Sequence, residues 1–465
     1  MSVPRGRAAL AVALAAGGCL FALAGDGIRA YFTPDDMMNL YGAWSSSPLA
    51  ADRPVGALFY RGFFTLFGLH PMPYRLAAFA LLAANLALLY GFCARLARSR
   101  EVAALACLLG AYQAYLAELY YSTGTIYDLL CCFFFLLALV WYLRIRDAGG
   151  LPDWRQTAGL LGLYALALGS KEMAVTLPLL LVVYECIYHR ARLWRQWRFV
   201  WLALPLTALY ALRKTLGPHR MTSNPNYALD LSAHAFLSSW KHYLGDLFYS
   251  AVRFNTFNLI LLLAAMLALA ALARRREMLF AWCFLFIAML PVAFIAPRGL
   301  FAIYMTLPGW YLYAASALTL ARDGLVRGFP RFAAAFGVRP EQAALFLLVA
   351  AFLIPAHLRE RPTGKVWVPE THAMVRNVIQ PLTARYPTMP RGASVLFLDD
   401  PYPKDEWMLT FIFRLVYRDN QIRVDRVKVW PELAKEPARS QYQRVFTLDE
   451  KGLREVSGTE LSPKF

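Results

Sequence analysis

The sequence predicts an all-α polytopic membrane protein of about eleven transmembrane helices, with a small C-terminal α/β extracytoplasmic domain. Three observations carry this. The 465 residues are 59% hydrophobic and 17% charged, whereas soluble domains carry about 25% charge. Apolar runs of roughly 17–25 residues, long enough to cross a bilayer, recur up to about residue 357. From residue 358 the chain turns polar, and helical spacing alternates with strand-like runs.

The spans lie near residues 8–24, 74–94, 102–120, 125–143, 157–169, 173–188, 199–212, 252–272, 279–296, 301–320 and 341–357. Arg5 and Arg7 precede the first, which has signal-peptide shape; with many spans following, it is expected to be retained as a signal anchor. Arginines close every second boundary: Arg95, Arg98 and Arg100; Arg144 and Arg146; Arg190 to Arg198; Arg274 to Arg276; Arg322 to Arg331. A cytoplasmic N-terminus places all these clusters inside. Segments 25–73, 121–124, 170–172, 213–251, 297–300 and everything after 357 then fall outside. The net charge of +18 reports this topology and an attraction to membrane lipids, with no nucleic acid implied.

Between the first two spans, residues 53–67 read as a helix lying in the outer interface; a twelfth span there would break the charge pattern. Residues 1–357 form the expected membrane domain and 358–465 the outer one. In the latter, 371–386 and 406–417 read as helices, and 393–400, 421–430 and 443–448 as strands. Loop 213–251 begins with turn residues around Pro218 and Pro225, then continues into a short helix capped by Ser232. All seven cysteines fall inside apolar runs, which predicts neither a disulfide framework nor a thiolate metal site.

The chemistry-bearing stretch is Thr33-Pro34-Asp35-Asp36. Thr33 suits an N-cap, Pro34 the first helical position, and acids in the first turn complement the helix dipole. Neighbours on a helix do not share a face, so one carboxylate is expected to face a cavity and the other to serve structure or a metal. Ser170-Lys171-Glu172 joins two spans almost without a loop, and charge at that depth usually faces a cavity or a partner. Arg53 and Arg298 lie on the outer side, where the positive-inside rule does not explain them; a guanidinium there can grip phosphate or contact headgroups. Glu118 and Asp128 at the outer turn, with Glu172 and Tyr304, are candidate substrate contacts. His70, His219, His234 and His242 show no ligand spacing. No resident cofactor is predicted, and a divalent metal at the acidic pair is an open option. The sequence carries no phosphate-cradling glycine loop and no Gly-x-Ser-x-Gly motif.

An acidic pair opening the first outer loop, an interfacial helix after it, and the Ser170-Lys171-Glu172 corner followed by Pro178 and Tyr184-Glu185 resemble the GT-C superfamily. Its members include the protein O-mannosyltransferases and the bacterial lipid A aminoarabinose transferases. The resemblance covers about residues 1–357; the tail has no counterpart in it. It implies an inverting glycosyltransferase of the bacterial inner membrane that moves a sugar from a polyprenyl-phosphate donor to a hydroxyl of a lipid, glycan or protein acceptor on the periplasmic face. Asp35 would be the base, Asp36 would orient it or bind the acceptor, and Lys171, Arg53 and Arg298 would hold the lipid phosphate. These groups are expected to gather at one outward cavity. The second acid is Asp rather than the Glu of the mannosyltransferases, which leaves acceptor type open. A transporter or flippase for a lipid-linked or anionic substrate, and a scaffold displaying the tail domain, are the competing classes. The absence of an internal repeat counts against the transporter.

Overall fold

A computed structural model describes residues 5–47, 51–189, 198–216, 228–328, 338–435, 438–449 and 452–456. A helix lies at each expected span. Four of these helices are long and apolar enough to cross a membrane: Pro71–Leu96, Ile126–Asp147, Arg276–Ala293 and Glu341–Gly364. The stretch near 102–120 is a bent pair instead, Arg100–Gly110 and Ala114–Tyr121, turned by 66°. The remaining apolar helices are shorter, less apolar or described only in part, so length and hydropathy alone mark fewer spans than the eleven expected.

The chain forms two compact units. The first comprises residues 1–28, 77–120 and 125–365; the second comprises residues 29–76, 121–124 and 366–465. In the first, Ile126–Asp147 runs through the interior, with Leu129, Phe135 and Leu136 essentially without exposure. It packs against Trp154–Ser170, and Gly159 permits the approach: a Cβ there would stand 2.3 Å from the Trp141 ring. At the arginine-rich end of this unit Arg146 is buried and paired with Glu185, Nη2 donating to Oε2 at 3.0 Å, while the Tyr142 hydroxyl donates to Oε1 at 2.7 Å. Removing a charge from a buried pair leaves its partner uncompensated, which accounts for an acid at the end of an otherwise apolar helix, Leu177–Tyr188. The predicted Ser232 cap is present, its Oγ accepting from the Ala235 amide at 3.1 Å, and the helix it starts runs on to Leu247. Pro218, Pro225 and His219 lie outside the described residues.

The second unit combines the helices Pro34–Ser45 and Pro54–Phe67 with the C-terminal segment. Pro54–Phe67 has 14 residues, about 21 Å at 1.5 Å per residue, too short for a hydrocarbon core of about 30 Å. Its Tyr60 and Phe64 are buried, and Leu66 is exposed. The sheet is four-stranded in the order β2-β1-β3-β4, with β1 (Ser394–Asp399), β2 (Arg423–Arg426), β3 (Arg444–Asp449) and β4 (Gly452–Glu455). β1 is parallel to both β2 and β3, and β3 is antiparallel to β4. A parallel pair needs a crossover, supplied between β1 and β2 by the helix Met408–Tyr417. Val395, Leu396 and Phe397 of the central strand are fully buried, as an uninterrupted apolar run suggests. The fourth strand was not expected; at four residues it is too short to show alternation. Asp400, just past β1, is buried and accepts from Arg426 through both oxygens, at 2.6 and 2.9 Å.

His372 sits in this unit on Val368–Arg385, its Nε2 against the Tyr121 carbonyl at 2.9 Å. Burial pushes its pKa below the ordinary 6.5, outweighing the carbonyl that favours the charged ring. The folded state therefore binds fewer protons here than the unfolded chain, and stability falls as pH drops below about 6.5. Unfolding midpoints measured from neutral to mildly acid pH should decline, and His372→Gln should flatten that decline.

Candidate functional site

The acidic stretch of the second unit folds as its sequence dictates. Thr33 caps the helix Pro34–Ser45 in a reciprocal box: the Asp36 amide donates to Thr33 Oγ1 at 3.3 Å, and the Thr33 amide donates to Asp36 Oδ2 at 2.8 Å. Asp36 has no exposure, and its other partners are Arg75 Nη2 at 3.2 Å and Ser122 Oγ at 3.4 Å. Arg75 is 1% exposed and also donates to the carbonyls of Ala30 and Tyr31. The cap and this ion pair fix how the helix starts. One residue earlier, Asp35 points the other way and is exposed, as neighbours about 100° apart on a helix must. Beside it is Gly124, where a Cβ would come within 3.3 Å of the Asp35 Cβ. Further along the same helix Tyr41 stacks on Phe411 at 4.9 Å and accepts from Arg414 at 2.6 Å. Arg53 belongs to this unit too and caps Pro54–Phe67 through its carbonyl, which accepts from Ala57 at 3.0 Å.

The first unit gathers a basic and aromatic cluster. Lys171 ends the helix Trp154–Ser170 and is buried, its ammonium 2.5 Å from Asp128 Oδ1. The same ammonium lies 5.5 Å from the centre of the Phe301 ring, and the Arg298 guanidinium lies 6.0 Å from it. Cations on an aromatic face gain from its quadrupole, so Phe301 holds both. The backbone of Arg298 is fixed as well, its amide donating to the Tyr243 hydroxyl at 3.2 Å. Glu118 closes the group: a Cβ on Gly299 would stand 2.8 Å from its Oε1 and 3.0 Å from the Phe301 ring. An alanine at 299 would require the Glu118 carboxylate to move aside and the Phe301 ring to give by a few tenths of an ångström. Tyr304 accepts from the Asn85 amide at 3.5 Å, and Glu172 opens the turn Glu172–Thr176.

The predicted residues thus form two sets, Asp35, Asp36 and Arg53 in one unit, and Lys171, Arg298, Asp128, Glu172 and Tyr304 in the other. Within the second set Lys171, Arg298 and Asp128 meet around Phe301. Sequence reasoning missed Arg75 as the counterion of Asp36 and treated Asp128 only as a substrate contact. Arg75 did carry a signal: it stands near the start of the apolar helix Pro71–Leu96, at the end opposite Arg95, and a charge inside an apolar run usually has a partner. Among the described residues no three His, Cys, Asp or Glu side chains gather as a metal group.

The described architecture is largely helical, with helices long and apolar enough to cross a membrane and a small C-terminal sheet. The chain is similar in fold to ArnT from Cupriavidus metallidurans, whose crystal structure is bound to undecaprenyl phosphate; the two match with a TM-score of 0.52 over 94% of this chain and 92% of that one, at 15% identity. No protein-family profile and no curated protein sequence matches it.

Proposed function

We propose that the protein is an inverting glycosyltransferase of the bacterial inner membrane that uses a polyprenyl-phosphate sugar as donor and a hydroxyl as acceptor. The observation that carries this is the division of labour in the acidic pair. Asp36 is buried, capped and paired with Arg75, whereas Asp35 is exposed on a helix start held still by that pairing. A fixed and accessible carboxylate suits a general base. The fold it shares with a protein solved with undecaprenyl phosphate supports a lipid-phosphate donor.

In the proposed step the acceptor oxygen attacks the anomeric carbon from the face opposite the phosphate. Asp35 takes the hydroxyl proton, the bond from carbon to phosphate oxygen breaks, and the lipid phosphate leaves with the electron pair. Inversion follows from the single displacement. Charge gathers on the leaving phosphate, and preorganised cations are the effective response to it. Arg298 is more accessible than the buried Lys171 and can meet phosphate with two donors. Lys171, held by Asp128, supplies field more than direct contact, and Arg53 is the third candidate. The carboxylates and the phosphate work on the periplasmic side, and the arginine-rich helix ends lie in the cytoplasm.

The test offers a labelled polyprenyl-phosphate sugar and a total membrane lipid and glycan extract to the purified protein. Release of polyprenyl phosphate should be lost in Asp35→Asn and Asp36→Asn. Turnover equal to wild type in both variants would sink the catalytic reading.

A further inference from the structure

At the arginine-rich end of the first unit is a cavity of about 360 Å³ that the transfer reaction does not use. Five arginines line it, Arg95, Arg98, Arg146, Arg274 and Arg276, against two carboxylates, Asp147 and Glu277. Charges that merely orient helices need only lie near the span ends in water, and three features here go beyond that. Arg146, one of the lining residues, is buried and held by Glu185. Arg98 and Arg274 both adopt left-handed backbone conformations, φ 50° and 52°, just past helix ends. Glycine is the usual occupant of such positions, and the chain places a guanidinium at both. Neither guanidinium has an ion pair or hydrogen-bond partner among the described residues. Tyr184 and Tyr188, stacked at 4.9 Å, form one wall, and Arg276 is braced by donating to the Tyr188 carbonyl at 3.4 Å.

We infer that this cavity is a second, non-catalytic binding site for a phosphate group, on the face opposite to that proposed for transfer. An excess of forked donors around a small concave space matches the geometry of a phosphate monoester or diester. The tyrosine wall and the apolar Leu96 and Leu143 suit the phosphate of an anionic lipid headgroup, and a free phosphate ion offers the same chemistry.

Binding is measured on the full-length protein by native mass spectrometry with phosphatidylglycerol against phosphatidylcholine, and separately by titration with inorganic phosphate. The deciding variant is Arg98→Gly with Arg274→Gly, which relieves both left-handed residues while removing two guanidinium groups. Its melting temperature should hold or rise, while affinity falls about tenfold or more. A control, Arg100→Gln with Arg144→Gln, removes equal charge from exposed positions at the same end but outside the cavity lining, and should stay within about twofold of wild type. Selective loss of phosphatidylglycerol identifies a lipid site, and selective loss of inorganic phosphate a soluble-anion site. Equal loss in both variants, or no loss in either, overturns the inference.

Discussion

Asp35→Asn will cut sugar transfer by about 10²–10⁴-fold, the range over which a positioned general base acts. The substitution is isosteric and the position exposed, so folding and donor affinity should barely move. The loss belongs in kcat, with the donor KM near its wild-type value. A stability assay on the same preparation makes the result specific, because an unchanged unfolding midpoint excludes a disturbed helix start. A loss of transfer that comes with a large fall in midpoint would instead point to Asp35 as a structural residue.

Arg75→Met gives the opposite profile. Asp36 and Arg75 are both buried, and their side chains meet at 3.2 Å. Removing one member of such a pair leaves a charge in a poorly solvating interior, at a cost of about 3–5 kcal/mol. The variant should unfold at clearly lower temperature, or become sensitive to protease in the helix Pro34–Ser45. Pairing it with Asp36→Asn should recover part of the loss, since the second change removes the stranded charge. If the two single losses simply add, the ion pair is not what holds the helix start.

These opposite profiles come from one dipeptide, and they show what the sequence made legible. Thr33-Pro34-Asp35-Asp36 announced its helix because capping is local chemistry: donor, acceptor and proline lie within four residues. Hydropathy likewise placed a helix at each expected span. What stayed hidden depends on distance along the chain. Asp36 and Arg75 are 39 residues apart, and Lys171 and Asp128 are 43 apart; no local pattern pairs them. The bend between Gly110 and Ala114 was also hidden, since an apolar run reads the same whether or not it is broken. The joining of residues 29–76 with the C-terminal segment in one compact unit is tertiary in the same sense. It rests on contacts such as Tyr41 with Phe411, which composition cannot foresee.

The most direct test of the central claim uses proteoliposomes carrying a polyprenyl-phosphate sugar labelled in the sugar, with the acceptor extract on the side facing the acidic pair. Label should leave the lipid for acceptor with inverted anomeric configuration, polyprenyl phosphate should accumulate in equal amount, and both should stop in Asp35→Asn. Label that crosses the bilayer still attached to its lipid, at the same rate in wild type and Asp35→Asn, would contradict it and identify a transporter instead.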